Sequence, residues 1–235
     1  MREVMKYIVL LSVVFLLSAC VSPYREVKPD EVLESRDLLM MVSDTNWQVD
    51  KEYASKEYNT KRHSLRLIDF NDGLIQFSIY TSNYRKGWQD ELFKKDGRYI
   101  DSDVDDVKIS EGGKETGVTY SKQDIAYVHG LKCTRGVFSR GFGGSYYSGG
   151  VKFYGMECGY YDTTESNNEG KRILNIDYRY THNTKEPQEA TRKEKKIKEA
   201  VKKAVSTLKI KNIDLPRMEK EGLIHYDKEF ESTKW

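Results

Sequence analysis

Long hydrophobic runs are scarce in this chain, and so are proline, cysteine and histidine. With 4 prolines and 3 cysteines in 235 residues, it is neither a proline-rich linker protein nor a densely bridged miniprotein. The one strongly apolar stretch, Tyr7 to Leu17 interrupted by Ser12, is about eleven residues long, where a spanning helix needs roughly twenty. The histidines, His63, His129, His182 and His225, are scattered, and no CxxC or HxxH spacing supplies a metal site. The serines in "GGSYY" and "YSGG" lack the GxSxG setting of a nucleophile elbow. A formal net charge of +2 gives no general reason for a nucleic-acid partner. No cofactor motif is present. These absences count against metal, phosphate-loop and nucleic-acid functions, and weakly against catalysis, because a triad is spatial.

What is present begins at the amino terminus. Arg2 and Lys6 make a short basic start, the apolar run has the length of a signal-peptide core, and small Ser18 and Ala19 precede Cys20. Leu17-Ser18-Ala19-Cys20 resembles the lipobox of bacterial lipoproteins. The resemblance covers only the first twenty residues. It implies cleavage before Cys20, a diacylglycerol on its thiol and an acylated amino terminus. Several acyl chains, each buried CH2 worth about 0.8 kcal/mol, anchor stably where one does not. The competing reading is an uncut helical anchor with an incidental cysteine. In lipoproteins of two-membrane bacteria, an aspartate directly after the lipidated cysteine favours retention in the inner membrane. Val21 stands there, so the analogy implies the outer membrane of the cell envelope. The expected organisation is a cleaved signal (1–19), a lipidated tether (20–29) and a single α+β domain (30–235) with a less ordered C-terminal tail.

With Cys20 lipidated as the resemblance implies, Cys133 and Cys158 remain, and an oxidising envelope favours their pairing. The midpoint of the cysteines and the midpoint of the glycine-rich Gly141–Gly150 segment both fall between Ser145 and Tyr146. A chain folded back there sets Cys133 opposite Cys158, at a cross-strand Cα distance of roughly 4.5–5.5 Å, within disulfide range. Leu131, Cys133, Arg135 and Val137 then share a mostly apolar face with Tyr160, Cys158, Met156 and Tyr154. The alternative, a Cys133 nucleophile beside His129, has only their four-residue spacing behind it.

Elsewhere the chain alternates like a sheet protein. Leu65–Phe70 and Leu74–Thr81 flank Asn71-Asp72-Gly73, a strong hairpin signal. Ile125–Ser139 reads as one long, bent strand, Val151–Tyr161 returns, and Ile173–Tyr180 alternates again. Pro29–Ser43 is expected to be a helix from Val32, Leu33, Leu39, Met40 and Val42. Glu186–Leu208 is the clearest helix, with Ile197, Ala200, Val201, Ala204, Val205 and Leu208 on one stripe that needs a sheet to cover. The expected class is α+β: a mostly antiparallel sheet with an N-terminal helix and a long C-terminal amphipathic helix packed on it.

Three features are candidate sites. The Gly141–Gly150 loop presents Phe142, Tyr146 and Tyr147 for partner contact, ten residues being long for a hairpin connection; a partnerless tip is the plainer reading. Asp101, Asp103, Asp105 and Asp106 alternate like calcium ligands, but Asp106 and Gly112 stand where an EF-hand needs glycine and glutamate, so a solvated edge is expected. The lysine-rich face of the long helix suits lipid headgroups or an acidic partner, yet Glu189–Lys193, Glu194–Lys198 and Glu199–Lys203 pairs suit an ordinary solvated face. The expected function is non-catalytic protein binding in the envelope. Examples are an immunity protein against a periplasmic toxin, or an accessory part of an envelope or secretion assembly. The alternatives are a hydrolase of peptidoglycan or another envelope polymer, and a small-ligand carrier.

Overall fold

A computed structural model of the chain describes residues 24–28, 30–42, 47–50, 63–69, 75–95, 108–111, 114–120, 124–143, 148–183 and 187–228. The backbone is mostly strand: β1 Tyr24–Glu26, β2 Val32–Glu34, β3 Leu38–Met41, β4 Gln48–Asp50, β5 His63–Asp69, β6 Ile75–Asn83, β7 Lys108–Glu111, β8 Lys114–Tyr120, β9 Asp124–Val128, β10 Leu131–Gly143, β11 Ser148–Tyr161, β12 Lys171–Asn183 and β13 Lys209–Ile210. Two helices follow the long strands, α1 Pro187–Thr207 and the short α2 Leu215–Lys220.

Ten strands form one sheet in the order β1-β4-β5-β6-β12-β11-β10-β8-β7, with β9 also paired to β10. All the pairings are antiparallel, and β13-β3-β2 make a second, three-stranded sheet. The long neighbours β10, β11, β12 and β6 carry the period-2 pattern of a half-buried sheet. Phe77, Ile79, Ile176, Tyr178, Met156 and Cys133 point to one side and are at most 1 % exposed. Against that side lies α1. Its stripe of Ile197, Ala200, Val201, Ala204, Val205 and Leu208 is at most 4 % exposed, as helical spacing demands of a face laid on a sheet. Sheet and helix thus bury one continuous core.

On the opposite face of the sheet, one end is covered by a described element. A 3-10 turn, Trp88–Phe93, folds Leu92 over β11 and β12, so Ile173 is buried although it points away from α1. Gly159 permits this approach: a Cβ there would stand 2.9 Å from Leu92 Cβ. Beyond the turn, no helix among the described residues lies on that face.

Several expectations are corrected. The helix over Pro29–Ser43 is absent, replaced by the β2–β3 hairpin. Leu38, Met40 and Val42 alternate inward, and the turn is closed by Ser35 N donating to Leu38 O at 2.9 Å and Leu38 N to Ser35 Oγ at 3.2 Å. The single strand over Ile125–Ser139 is two strands, folded at His129-Gly130. Both turn residues have positive φ, 49° and 78°, the left-handed pair of a tight hairpin turn. The ten-residue glycine loop is also shorter than its composition suggests. The β10–β11 ladder continues through Phe142↔Gly149 to Gly143↔Ser148, which leaves 144–147 as the connection. Residues 209–228 add β13, α2 and a bridge between Leu131 and Ile224, with Met218 and Leu223 buried. In the tether segment, Tyr24–Glu26 already pairs with β4.

Candidate functional site

The hairpin register is the one that the cysteine spacing implies: Cys133↔Cys158, Arg135↔Met156 and Val137↔Tyr154. The two sulfurs are bonded and both residues are fully buried, on the core face. The bond therefore pins the base of β10–β11, and Cys133 is not a nucleophile. His129 belongs to the turn rather than to the strand. Its Nε2 sits 2.6 Å from the Val205 carbonyl at the end of α1, where a histidine complements the helix terminus. His225 stacks edge-on to Tyr127 at 5.3 Å, and His63 and His182 lie in β5 and β12.

Of the proposed contact residues, Phe142 lies in the β10 ladder, while Tyr146 and Tyr147 lie outside the described residues. The same holds for Cys20 and for Asp101, Asp103, Asp105 and Asp106. Among the described residues no cluster of His, Cys, Asp and Glu is placed to hold a metal, and no helix is long and apolar enough to cross a membrane.

What sequence reading missed is a polar depression on the sheet face opposite α1, of about 240 Å³. Strand parity sends Arg66 from β5, Gln76, Ser78 and Tyr80 from β6, Phe153 from β11, and Asp177 and Arg179 from β12 to this side. The side chains lock together across the strands. Gln76 Oε1 accepts from Arg66 Nη2 at 3.1 Å and from Arg179 Nε and Nη2 at 3.1 and 2.9 Å. Tyr80 donates its hydroxyl to Asp177 Oδ2 at 2.9 Å. Every long residue is half-buried, so the guanidiniums and the rings are pre-positioned rather than free to sweep. Such a surface offers planar donors, a carboxylate and an aromatic ring on a rigid base.

The seam between sheet and helix holds a second polar cluster. Glu194 accepts from Tyr154 Oη at 3.1 Å and Tyr180 Oη at 2.7 Å, and pairs with Lys198 at 2.8 Å. Burial pushes this carboxyl up, but hydrogen bonds from Lys198 and Tyr180 and the charges of Lys198 and Lys152 outweigh it and lower the pKa to about 2. Burial, together with the neighbouring carboxylate, raises both phenols. Lys193, paired with Glu189 at 2.6 Å, is buried and donates to the Thr181 carbonyl. The polar flank of α1 is therefore not merely solvated: part of it clamps the helix to β11 and β12. On the other face Glu157, under the 3-10 turn, is raised by burial against the hydrogen bond from Gln89 and the charge of Arg85. Its closest partner is an amide, which suits an anchor for the turn.

Compared with known protein families, curated proteins and solved structures, the chain matches none.

Proposed function

We propose that this chain is a lipid-anchored envelope protein, tethered through Cys20, that works by binding a protein partner without catalysis. One observation carries the binding part: the polar depression on the sheet face opposite α1, lined by Arg66, Gln76, Tyr80, Phe153, Asp177 and Arg179. Arginine and aromatic residues are the types enriched in protein interfaces, and a rigid β face presents them at low entropic cost. The depression is small and shallow beside ligand pockets of about 300–1,000 Å³, which favours a protein surface over an enclosed small molecule. The lipobox-like start supports the anchor, which raises the local concentration of envelope partners. An immunity protein against a periplasmic toxin and an accessory part of an envelope assembly are the two concrete forms. The outer membrane is the proposed location.

The test is recovery of partners from envelope extract by three forms of the chain. These are the unaltered protein, one with Tyr80, Phe153 and Arg179 changed to alanine, and one with Phe142, Tyr146 and Tyr147 changed to alanine. The expected result is one discrete protein recovered by the unaltered form and lost with the first triple change. Equal recovery by all three forms contradicts the assignment of the face.

A further inference from the structure

α1 is 21 residues long, and its charges are sorted by what the fold does with them. The acids on its flanks are turned inward: Glu194 is held by Tyr154, Tyr180 and Lys198, and Glu189 by buried Lys193. The exposed side keeps Lys195, Lys202 and Lys203 against one carboxylate, Glu199. Three lysines against one carboxylate leave this face positive on a chain whose formal net charge is only +2. Lys195 and Lys202 are seven residues apart and point the same way, so the charge forms a stripe along the helix rather than a point.

The tether limits where this stripe can be. Cys20 and Tyr24, the start of β1, are four residues apart, at most about 14 Å of extended chain. In the sheet order, β1 lies three strand spacings from β6, about 14 Å, and α1 packs on β6 and β12. An anchor at Cys20 thus keeps the domain against the headgroups, with the positive stripe a short distance along the sheet.

We propose that the exposed face of α1, through Lys195, Lys202 and Lys203, rests on an anionic lipid surface and so orients the anchored domain. The sheet face opposite α1 is then turned away from the bilayer, towards partners. The occupant is the headgroup layer rather than an acidic protein, because the tether holds the domain beside that layer at all times. The inference rests on the lipid-anchor reading, and its test separates the two.

Full-length chain purified from membranes is reconstituted on vesicles of phosphatidylcholine alone, and on vesicles of phosphatidylcholine with phosphatidylglycerol. Flotation with the neutral vesicles reports the anchor. Acylation of individual lysines by a water-soluble reagent, read by mass spectrometry, reports the face. The expected result is labelling of Lys195, Lys202 and Lys203 slowed at least several-fold on the anionic vesicles, with the difference abolished by high salt, while Lys220 and Lys228 are unaffected. A chain carrying Lys195→Gln, Lys202→Gln and Lys203→Gln still floats, and now accepts a water-soluble quencher equally on both vesicles at a fluorophore placed at Ser206. If the chain does not float on neutral vesicles, the anchor fails; flotation on anionic vesicles alone then still supports the face. Equal labelling on both compositions overturns the proposal. So does protection that appears only when envelope proteins are added, which assigns the stripe to an acidic protein.

Discussion

Arg172 of β12 reaches Asp37 in the β2–β3 turn, with Nη2 3.6 Å from Oδ2 and both side chains buried. Thr81 bridges them, donating to Asp37 Oδ2 at 2.7 Å and accepting from Arg172 Nη2 at 3.1 Å, while Asn83 takes Nη1 at 2.9 Å. The pair docks the small sheet against the large one. Arg172 also pairs with Glu165 at 3.4 Å and Asp37 with Arg36 at 3.8 Å, so removing one partner leaves a buried charge only partly compensated. Asp37→Ala or Arg172→Ala is therefore expected to lower stability by about 2–4 kcal/mol, somewhat less than a fully broken buried pair. Urea unfolding measures this. A loss under about 1 kcal/mol, the range of surface ion pairs, contradicts the docking role.

The Cys133–Cys158 bond closes a hairpin with a sequence separation of 25. Replacing both cysteines by serine is expected to cost about 3.5 kcal/mol in the chain-entropy account. Because both residues are fully buried, the native protein should resist mild reductant and yield its thiols only in denaturant. Thiol titration with and without urea checks this; rapid reduction of the native form contradicts the burial.

Glu194 makes stability depend on pH. Its carboxyl is lowered from 4.5 to about 2 in the folded state, so the unfolded chain binds the proton more readily there. Stability from this group is therefore full above about 4.5 and is lost as pH falls towards about 2. With solvent screening of a half-exposed pair, Glu194→Gln is expected to cost about 1 kcal/mol at neutral pH. The difference from the unaltered protein should vanish near the acid end. Thermal unfolding at several pH values tests this, and a difference that grows on acidification contradicts it.

Gly130 takes φ of 78° in the β9–β10 turn, and a Cβ would meet the His225 carbonyl oxygen at 3.1 Å. Gly130→Ala is expected to destabilise by about 1–3 kcal/mol through backbone strain. It should also release the tail held by His225 N donating to Gly130 O at 2.9 Å, seen as faster amide exchange at residues 223–226. Unchanged exchange there contradicts the coupling.

The parts readable in the sequence are those where one local rule acts alone. The α1 stripe obeys the helical period, the β5–β6 hairpin forms around an Asp-Gly turn, and cysteine spacing sets the β10–β11 register. The N-terminal segment failed because Val32, Leu33, Leu39, Met40 and Val42 fit neither period cleanly, and the Ser35 turn decided for strands. His129-Gly130 sits inside an apolar run and carried no cluster of turn residues. Gly141, Gly143, Gly149 and Gly150 read as loop by composition, yet the β10–β11 and β11–β12 pairings make them strand. The polar face was half legible: parity predicts that Gln76 and Tyr80 share a side, but only the order β5-β6-β12 brings Arg66 and Arg179 to the same amide. The Glu189–Lys193 pair was legible, but the burial of Lys193 against the Thr181 carbonyl and of Asp37 against Thr81 and Arg172 left no local mark.

Mass spectrometry of the amino-terminal peptide from the native, membrane-extracted protein tests the central claim most directly. The account predicts a peptide that begins at Cys20 and carries a diacylglycerol and an N-linked acyl chain. A peptide retaining Met1 to Ala19, or a Cys20 thiol without lipid, contradicts it.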